Sequence, residues 1–364
     1  MWLIVVAVLA VVGGGIYWKK TSQGRQARKL PALAPEGMFL ATSSESRQRA
    51  NQLLPSRGSE DRRDLLRAPD ASGPPEEHLD GFRPNSATDW IVDLSFPEGI
   101  SFPKNKILEV LDRTWLKVIG APMLYGKPEG GTWTYVFAKD SPAAYSQIAL
   151  GWRLNQDFDR DWKPPRQADF EAYLKELTDR CATFGETRLL PSLAPAEAVE
   201  KAVHLRDLKN RLSQDAIIVL QAPNNQSYAG LDIWDAMLSL GLEWGDMDIF
   251  HWPNDSGEGG DFWFDVWTTT PPGYFYPEEI AAGNVKVVNL VFGFSIPRTL
   301  QPDSVFESMM RAADYARHRL GGRLLADDGS EFKSADALRQ VRYAARELTA
   351  AGFPPGANRT LYLF

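Results

Sequence analysis

Residues Trp2 to Trp18 carry no charged or strongly polar side chain, and Lys19, Lys20, Arg25, Arg28 and Lys29 follow with no acid among them. An uncharged run of this kind reaches the lower end of the roughly 17–25 residues a spanning helix needs. Trp2, Tyr17 and Trp18 stand at its ends, where aromatic rings favour the membrane interface, and the basic flank predicts that the chain after it stays in the cytoplasm. A cleaved signal peptide is the rival reading. It requires a basic stretch before the run and small residues at its close, whereas only Met1 precedes it and Ile16-Tyr17-Trp18 ends it. Gly13-Gly14-Gly15 is tolerated in lipid and is not a phosphate loop, because no strand precedes it and no Lys-Ser/Thr closes it. Residues 1–18 are therefore expected to be a transmembrane anchor, and everything after it must fold around that constraint.

Residues 19–88 are rich in Pro, Ser, Arg, Asp and Glu and poor in aromatics. With no apolar period to bury, they read as a disordered, basic, Pro-rich linker, with an r.m.s. span of roughly 45 Å. Charge clusters such as Glu60-Asp61-Arg62-Arg63-Asp64 read as solvated polymer. The chain as a whole has a net charge of −7. The linker holds twelve basic and nine acidic residues, so the remainder is acidic, which argues against nucleic-acid binding.

Cys181 is the single cysteine among 364 residues, which excludes a disulfide scaffold. It falls mid-helix on an apolar stripe and reads as packing. His78, His204, His251 and His318 lack metal-ligand spacing. His251 closes a strand and reads as a hydrogen-bonded structural residue. Asp157-Phe158-Asp159-Arg160-Asp161 resembles the start of a calcium loop but lacks the glycine and glutamate such a loop needs, at Trp162 and Ala168. No nucleophile–base set, Walker loop or dinucleotide fingerprint is present. The expectation is a protein that is not an enzyme, with no cofactor, no metal and no small-molecule substrate.

After the linker, periodicity predicts two α+β units. In residues 89–212, strands are expected at Trp90–Phe96, Thr132–Ala138, Ile148–Leu154 and Thr187–Leu190. Helices are expected at Asn105–Lys117, Phe170–Phe184 and Pro195–Leu212. In residues 214–364, strands are expected at Asp215–Gln221, Asp246–Trp252, Asp261–Thr269, Val285–Ile296 and Arg323–Leu325. Helices are expected at Leu231–Leu240, Ser304–Leu320 and Ser334–Ala351. Phe170-Glu171 leading to Gly185 and Arg188-Leu189-Leu190 is echoed by Phe306-Glu307 leading to Gly321 and Arg323-Leu324-Leu325. The echo predicts one module copied twice. Each copy is expected to be an antiparallel sheet with helices packed on one face.

Strand alternation locates a candidate surface. Along Asp261–Thr269, Phe262, Phe264 and Val266 would face the helices, while Asp261, Trp263, Asp265, Trp267 and Thr269 would face away. A half-buried sheet is normally polar on its open face. Ile217, Val219, Met247, Ile249, Trp263, Trp267 and Val291 could instead form one apolar patch, and such a patch marks an interaction site. Two uses remain open for it, a peptide groove or a packing surface for the first unit.

The second unit resembles the C-terminal domain of the bacterial cell-division protein family ZipA. The resemblance rests on Gly241-Leu242-Glu243-Trp244-Gly245-Asp246-Met247-Asp248-Ile249-Phe250-His251. It rests also on Pro272-Gly273-Tyr274-Phe275-Tyr276-Pro277 and on Gly321-Gly322-Arg323-Leu324-Leu325-Ala326-Asp327-Asp328. It implies an inner-membrane, single-pass protein at midcell, with N-terminus outside and C-terminal modules in the cytoplasm. The open sheet face would bind the C-terminal tail of FtsZ and tether the division ring to the membrane. Carried over without gaps, the family's contact positions fall on Asp215, Met247, Thr269 and Gly293. The family has one such domain, so residues 89–212 would be a divergent second copy. The alternative is a membrane-anchored scaffold whose two modules bind another partner.

Overall fold

The computed structural model describes residues 46–54, 60–70, 83–96, 99–155, 165–185, 187–224 and 226–364. The uncharged run Trp2–Trp18 and the calcium-like loop at Asp157–Asp161 lie outside them. Among the described residues no helix is long and apolar enough to cross a membrane. The chain divides into two compact units, residues 74–211 and a C-terminal unit that also takes in described residues before 74.

The first unit contains β1 (Asp89–Ser95), β2 (Phe102–Pro103), α1 (Lys104–Val110), α2 (Arg113–Val118), β3 (Met123–Lys127), β4 (Thr134–Tyr135), β5 (Ala144–Tyr145), β6 (Gln147–Arg153), α3 (Gln167–Cys181), β7 (Arg188–Pro191) and α4 (Pro195–Leu212). Its sheet runs β4-β3-β6-β1-β7, and β2 pairs with β5 as a separate ribbon. The single helix expected over Asn105–Lys117 is two. Leu111 closes the first, and Asp112 caps the second by accepting from the N–H groups of Thr114 and Trp115. Those bonds hold its carboxyl below its ordinary pKa. The core is aromatic, with Trp90 packed 4.9 Å from Trp152 and 4.6 Å from Phe170 between ring centroids. Cys181 is buried, and desolvation pushes its thiol up to about 12, so it offers no thiolate at neutral pH.

The C-terminal unit contains β8 (Asp215–Gln221), β9 (Tyr228–Ala229), α5 (Gly230–Ser239), β10 (Glu243–Trp244), β11 (Phe250–Pro253), β12 (Phe262–Trp267), α6 (Pro277–Ala281), β13 (Lys286–Val287), β14 (Asn289–Ser295), α7 (Pro302–Leu320), β15 (Arg323–Leu325), α8 (Ser334–Ala350) and α9 (Asn358–Leu363). Its sheet runs β10-β11-β12-β14-β8-β15, with β9 and β13 as a ribbon. On one face, Ala216, Ile218, Leu220, Phe250, Phe264, Val266 and Phe292 are buried. α7 supplies Val305, Met309, Ala312 and Ala316 at helical spacing, with Phe306 and Ala313 beside them. Gly321, in the left-handed region at φ 79°, closes α7 as expected.

The two units agree in part. Each places its first long strand between a late long strand and a short Arg-Leu-Leu strand, and each pairs a ribbon flanking the intervening segment. They differ beyond the late strand. In the first unit β3 lies against β6 and β4 is outermost. In the C-terminal unit the chain starts at the edge, at β10, and meanders inward to β12 beside β14. The expected copying of one strand order therefore fails. The Phe-Glu to Arg-Leu-Leu echo falls on the helix–strand corner that the two units share.

The linker expectation also needs correction. Residues 46–53 are helical, and residues 60–70, with a short 3-10 turn at Arg63–Leu65, lie on the C-terminal unit. The N–H of Arg62 donates to the Ser239 carbonyl at 2.8 Å.

Candidate functional site

Strand register sets the face of the C-terminal sheet away from α7. Val219 lies opposite Val291, and Val291 opposite Trp267. Ile249, Trp267 and Val291 form one buried cluster with Ile217, Val219 and Tyr274 packed on it. Five of the positions chosen by alternation, Ile217, Val219, Ile249, Trp267 and Val291, are thus neighbours. The face is less open than expected, since Trp267 is only 7% exposed.

The burial of Trp267 has a specific cause. Gly293 lies in the neighbouring strand opposite Asp265, and a Cβ built on it would come 2.7 Å from Trp267 Cη2. The indole lies across the glycine. Gly293 is accordingly not a vacant contact position but the space the ring occupies, a use of glycine that alternation cannot show.

Met247, two residues before Ile249, is not a member of that buried cluster and is 43% exposed. It sits at the crown of the Asp246–Asp248 turn with φ 61°, and Asp248 follows at φ 59°. Met247 is neither Gly, Asn nor Asp, so its left-handed backbone carries a cost of about 1–2 kcal/mol, whereas an aspartate such as Asp248 tolerates that region better. The turn is pinned from several sides. Asp248 N–H donates to Gly245 O at 2.9 Å, and Phe275 N–H donates to Asp248 O at 2.7 Å. His251 Nε2 meets Asp246 O at 2.8 Å while its Nδ1 meets Asp265 Oδ1 at 2.7 Å. Burial, then Glu278 and Asp246, raise the Asp248 carboxyl above its ordinary value.

Asp265 lies on the same face, opposite Gly293 and two residues before Trp267, with its carboxylate committed to the buried His251, hydrogen-bonded as the sequence implied. Two other expected site residues belong elsewhere. Thr269, beyond the end of β12, is exposed; its N–H donates to Asn289 Oδ1 at 3.0 Å and its Oγ1 accepts from Asn289 Nδ2 at 2.6 Å. Trp263 is 2% exposed and its ring lies 6.0 Å from that of Trp252. The reason is a bulge: Trp252 pairs with Phe264 but Pro253 with Phe262, so Trp263 is the extra residue. A bulge resets alternation. Phe262, expected in the core, instead stacks on His251 at 4.0 Å. Tyr274, absent from the expected set, joins the cluster; its Pro-Gly-x-Phe-x-Pro context was the signal available.

On the first unit, Ile91, Tyr125, Trp133 and Ala149 cluster on the sheet with Met123. A shallow cavity of about 430 Å³ beside them is lined by Arg83, Asp93 and Trp133 among others. Arg83 pairs with Asp93 at 3.3 Å and lies 5.5 Å over the Trp133 ring, and burial raises the Asp93 carboxyl. Among the described residues no group of three or more His, Cys, Asp or Glu could hold a metal.

Residues 216–343 match the family described as ZipA, C-terminal FtsZ-binding domain. Over 138 residues the chain is 29% identical to the cell division protein ZipA of Ectopseudomonas mendocina, covering 36% of this chain and 50% of that one. Over 129 residues it is 30% identical to that of Colwellia psychrerythraea, covering 35% and 33%. Over 206 residues it is 25% identical to that of Pseudomonas syringae pv. syringae, covering 56% and 68%. The chain thus spans half of the first relative's length and a third of the second's. Its C-terminal unit is ZipA-like, an α+β module with an antiparallel sheet, and the chain is similar to a family of cell division proteins.

Proposed function

We propose that this chain is a non-enzymatic adaptor of bacterial cell division. Its ZipA-like module binds the C-terminal tail of FtsZ through the apolar sheet face, and residues 1–18 anchor it in the inner membrane with the modules in the cytoplasm. The observation that carries the reading is the cluster of Ile217, Val219, Ile249, Trp267, Val291 and Tyr274 on the sheet face away from α7, within the segment that matches the FtsZ-binding family. An apolar shelf with an exposed methionine at its margin suits a short amphipathic segment laid along it.

A partner other than FtsZ is the second reading. It is favoured by Asp215 and Thr269, both exposed where the family resemblance places contacts. Fluorescence anisotropy with a labelled FtsZ tail peptide and the full chain in detergent decides between them. Saturable binding supports the first reading, and no binding at peptide concentrations up to about 1 mM, where less than about 4 kcal/mol of affinity would be left, leaves the second. The anchor is tested apart from the partner. Carbonate washing should leave the full chain in the membrane fraction, and release into the wash would remove the anchor from the proposal.

A further inference from the structure

Ser308 lies in the middle of α7 and is fully buried. A buried hydroxyl needs partners, and they come from the segment that composition marks as tether. Ser308 Oγ donates to the Arg67 carbonyl at 3.0 Å and accepts from the Arg67 N–H at 3.2 Å. One side chain thereby exchanges both bonds of a residue, as a neighbouring strand would. One turn further on, Arg311 sends Nε to Leu65 O at 2.7 Å and Nη2 back to Ser308 Oγ at 2.8 Å. At the start of the helix Gln301 Nε2 donates to Asp70 O at 2.6 Å. At the end of α5, whose last carbonyls lack helical partners, Ser239 O accepts from Arg62 N–H at 2.8 Å.

These bonds run to backbone atoms from Arg62 to Asp70 and fix the conformation of the segment rather than its sequence. Its apolar residues supply the rest: Leu65 and Leu66 are half-buried and Pro69 is buried. The Arg62 guanidinium lies 5.5 Å over the Tyr315 ring on the same helix. The upstream helix at residues 46–53 is held differently, by Arg47 to Glu243 and Arg49 to Glu278. Both are exposed ion pairs, each worth under about 1 kcal/mol, and Ala50 and Leu54 of the same segment are buried.

We propose that residues 60–70 are a built-in strap of the C-terminal module, seated on α5 and α7. The strap lies on the helical side of the sheet, opposite the Trp267 face, and a peptide can occupy that face while the strap stays in place. Where the anchor proposed above holds, residues 60–70 belong to the module and the tether is shorter than a count back from residue 88 gives.

Hydrogen exchange of the full chain in detergent, read by mass spectrometry, tests the strap without reference to the anchor or to FtsZ. Amides 62–70 should exchange at least about 10-fold more slowly than in a synthetic peptide of the same sequence, as expected for a docked rather than frayed segment. Ser308→Val with Arg311→Met should bring them to within about threefold of the peptide rate, with β8 and β14 still protected. Because changes within α7 could loosen the module itself, Leu65→Ser with Leu66→Ser releases the strap from the other side and should leave α7 protected. Peptide-like exchange in the unmodified chain, or unchanged protection in the Leu65/Leu66 variant, overturns the proposal.

Discussion

Trp267→Ala will lower the stability of the C-terminal unit by about 3–5 kcal/mol, the usual cost of truncating a buried tryptophan. The indole is 7% exposed and fills the space above Gly293, so its removal leaves a cavity between Ile249 and Val291 that the rigid sheet cannot close. In urea the transition of the C-terminal unit should shift by more than about 1 M at the slopes typical of such units. The transition of the first unit should stay where it is. Gly293→Val approaches the same contact from the other side. Its side chain meets the indole, and overpacking of this kind costs about 1–3 kcal/mol. Because the two residues share one volume, the double variant should be less destabilised than the two single losses added together. An unmoved transition for Trp267→Ala, or strict additivity, would mean that the ring does not lie across Gly293. Loss of peptide binding by Trp267→Ala therefore carries no weight until its melt has been measured.

Met247→Asn separates binding from folding because the two should move in opposite directions. Met247 is 43% exposed and held at φ 61°. Asparagine tolerates the left-handed region several-fold better than an ordinary residue, so the change should leave the melt unmoved or raise it by up to about 1 kcal/mol. Under the FtsZ-tail reading the methionine is an exposed apolar anchor beside the cluster. Removing such an anchor costs about 2 kcal/mol or more, roughly a 30-fold loss of affinity. Backbone strain kept at an exposed position points to a use there. A destabilised variant would contradict the strain. A stable variant that binds the tail as tightly as the unmodified chain would move the site away from the Asp246–Asp248 turn.

The sequence by itself determined where the long helices and most of the long strands lie, though not Met123–Lys127 or the short ribbon strands, together with the apolar row across the sheet and the likeness of residues 216–343 to the ZipA domain. Each of those is written in local periods or in a contiguous motif. Val219, Val291 and Trp267 were legible as one row because undisturbed strands keep a period of two. Four features were decided only by tertiary structure. The bulge at Trp263 reverses the faces of Trp263 and Phe262, since one added residue shifts every side chain before it. Gly293 gains its meaning from a ring on the adjacent strand. The two units part in strand order although they share the Arg-Leu-Leu corner, because pairing beyond the central strands is set by long-range contacts. Residues 60–70 look like solvated polymer in composition, yet Ser308 and Arg311, some 240 residues away, complete their backbone hydrogen bonds. Composition counts the apolar area a segment could bury for itself; it cannot count the donors and acceptors that a distant helix presents to it.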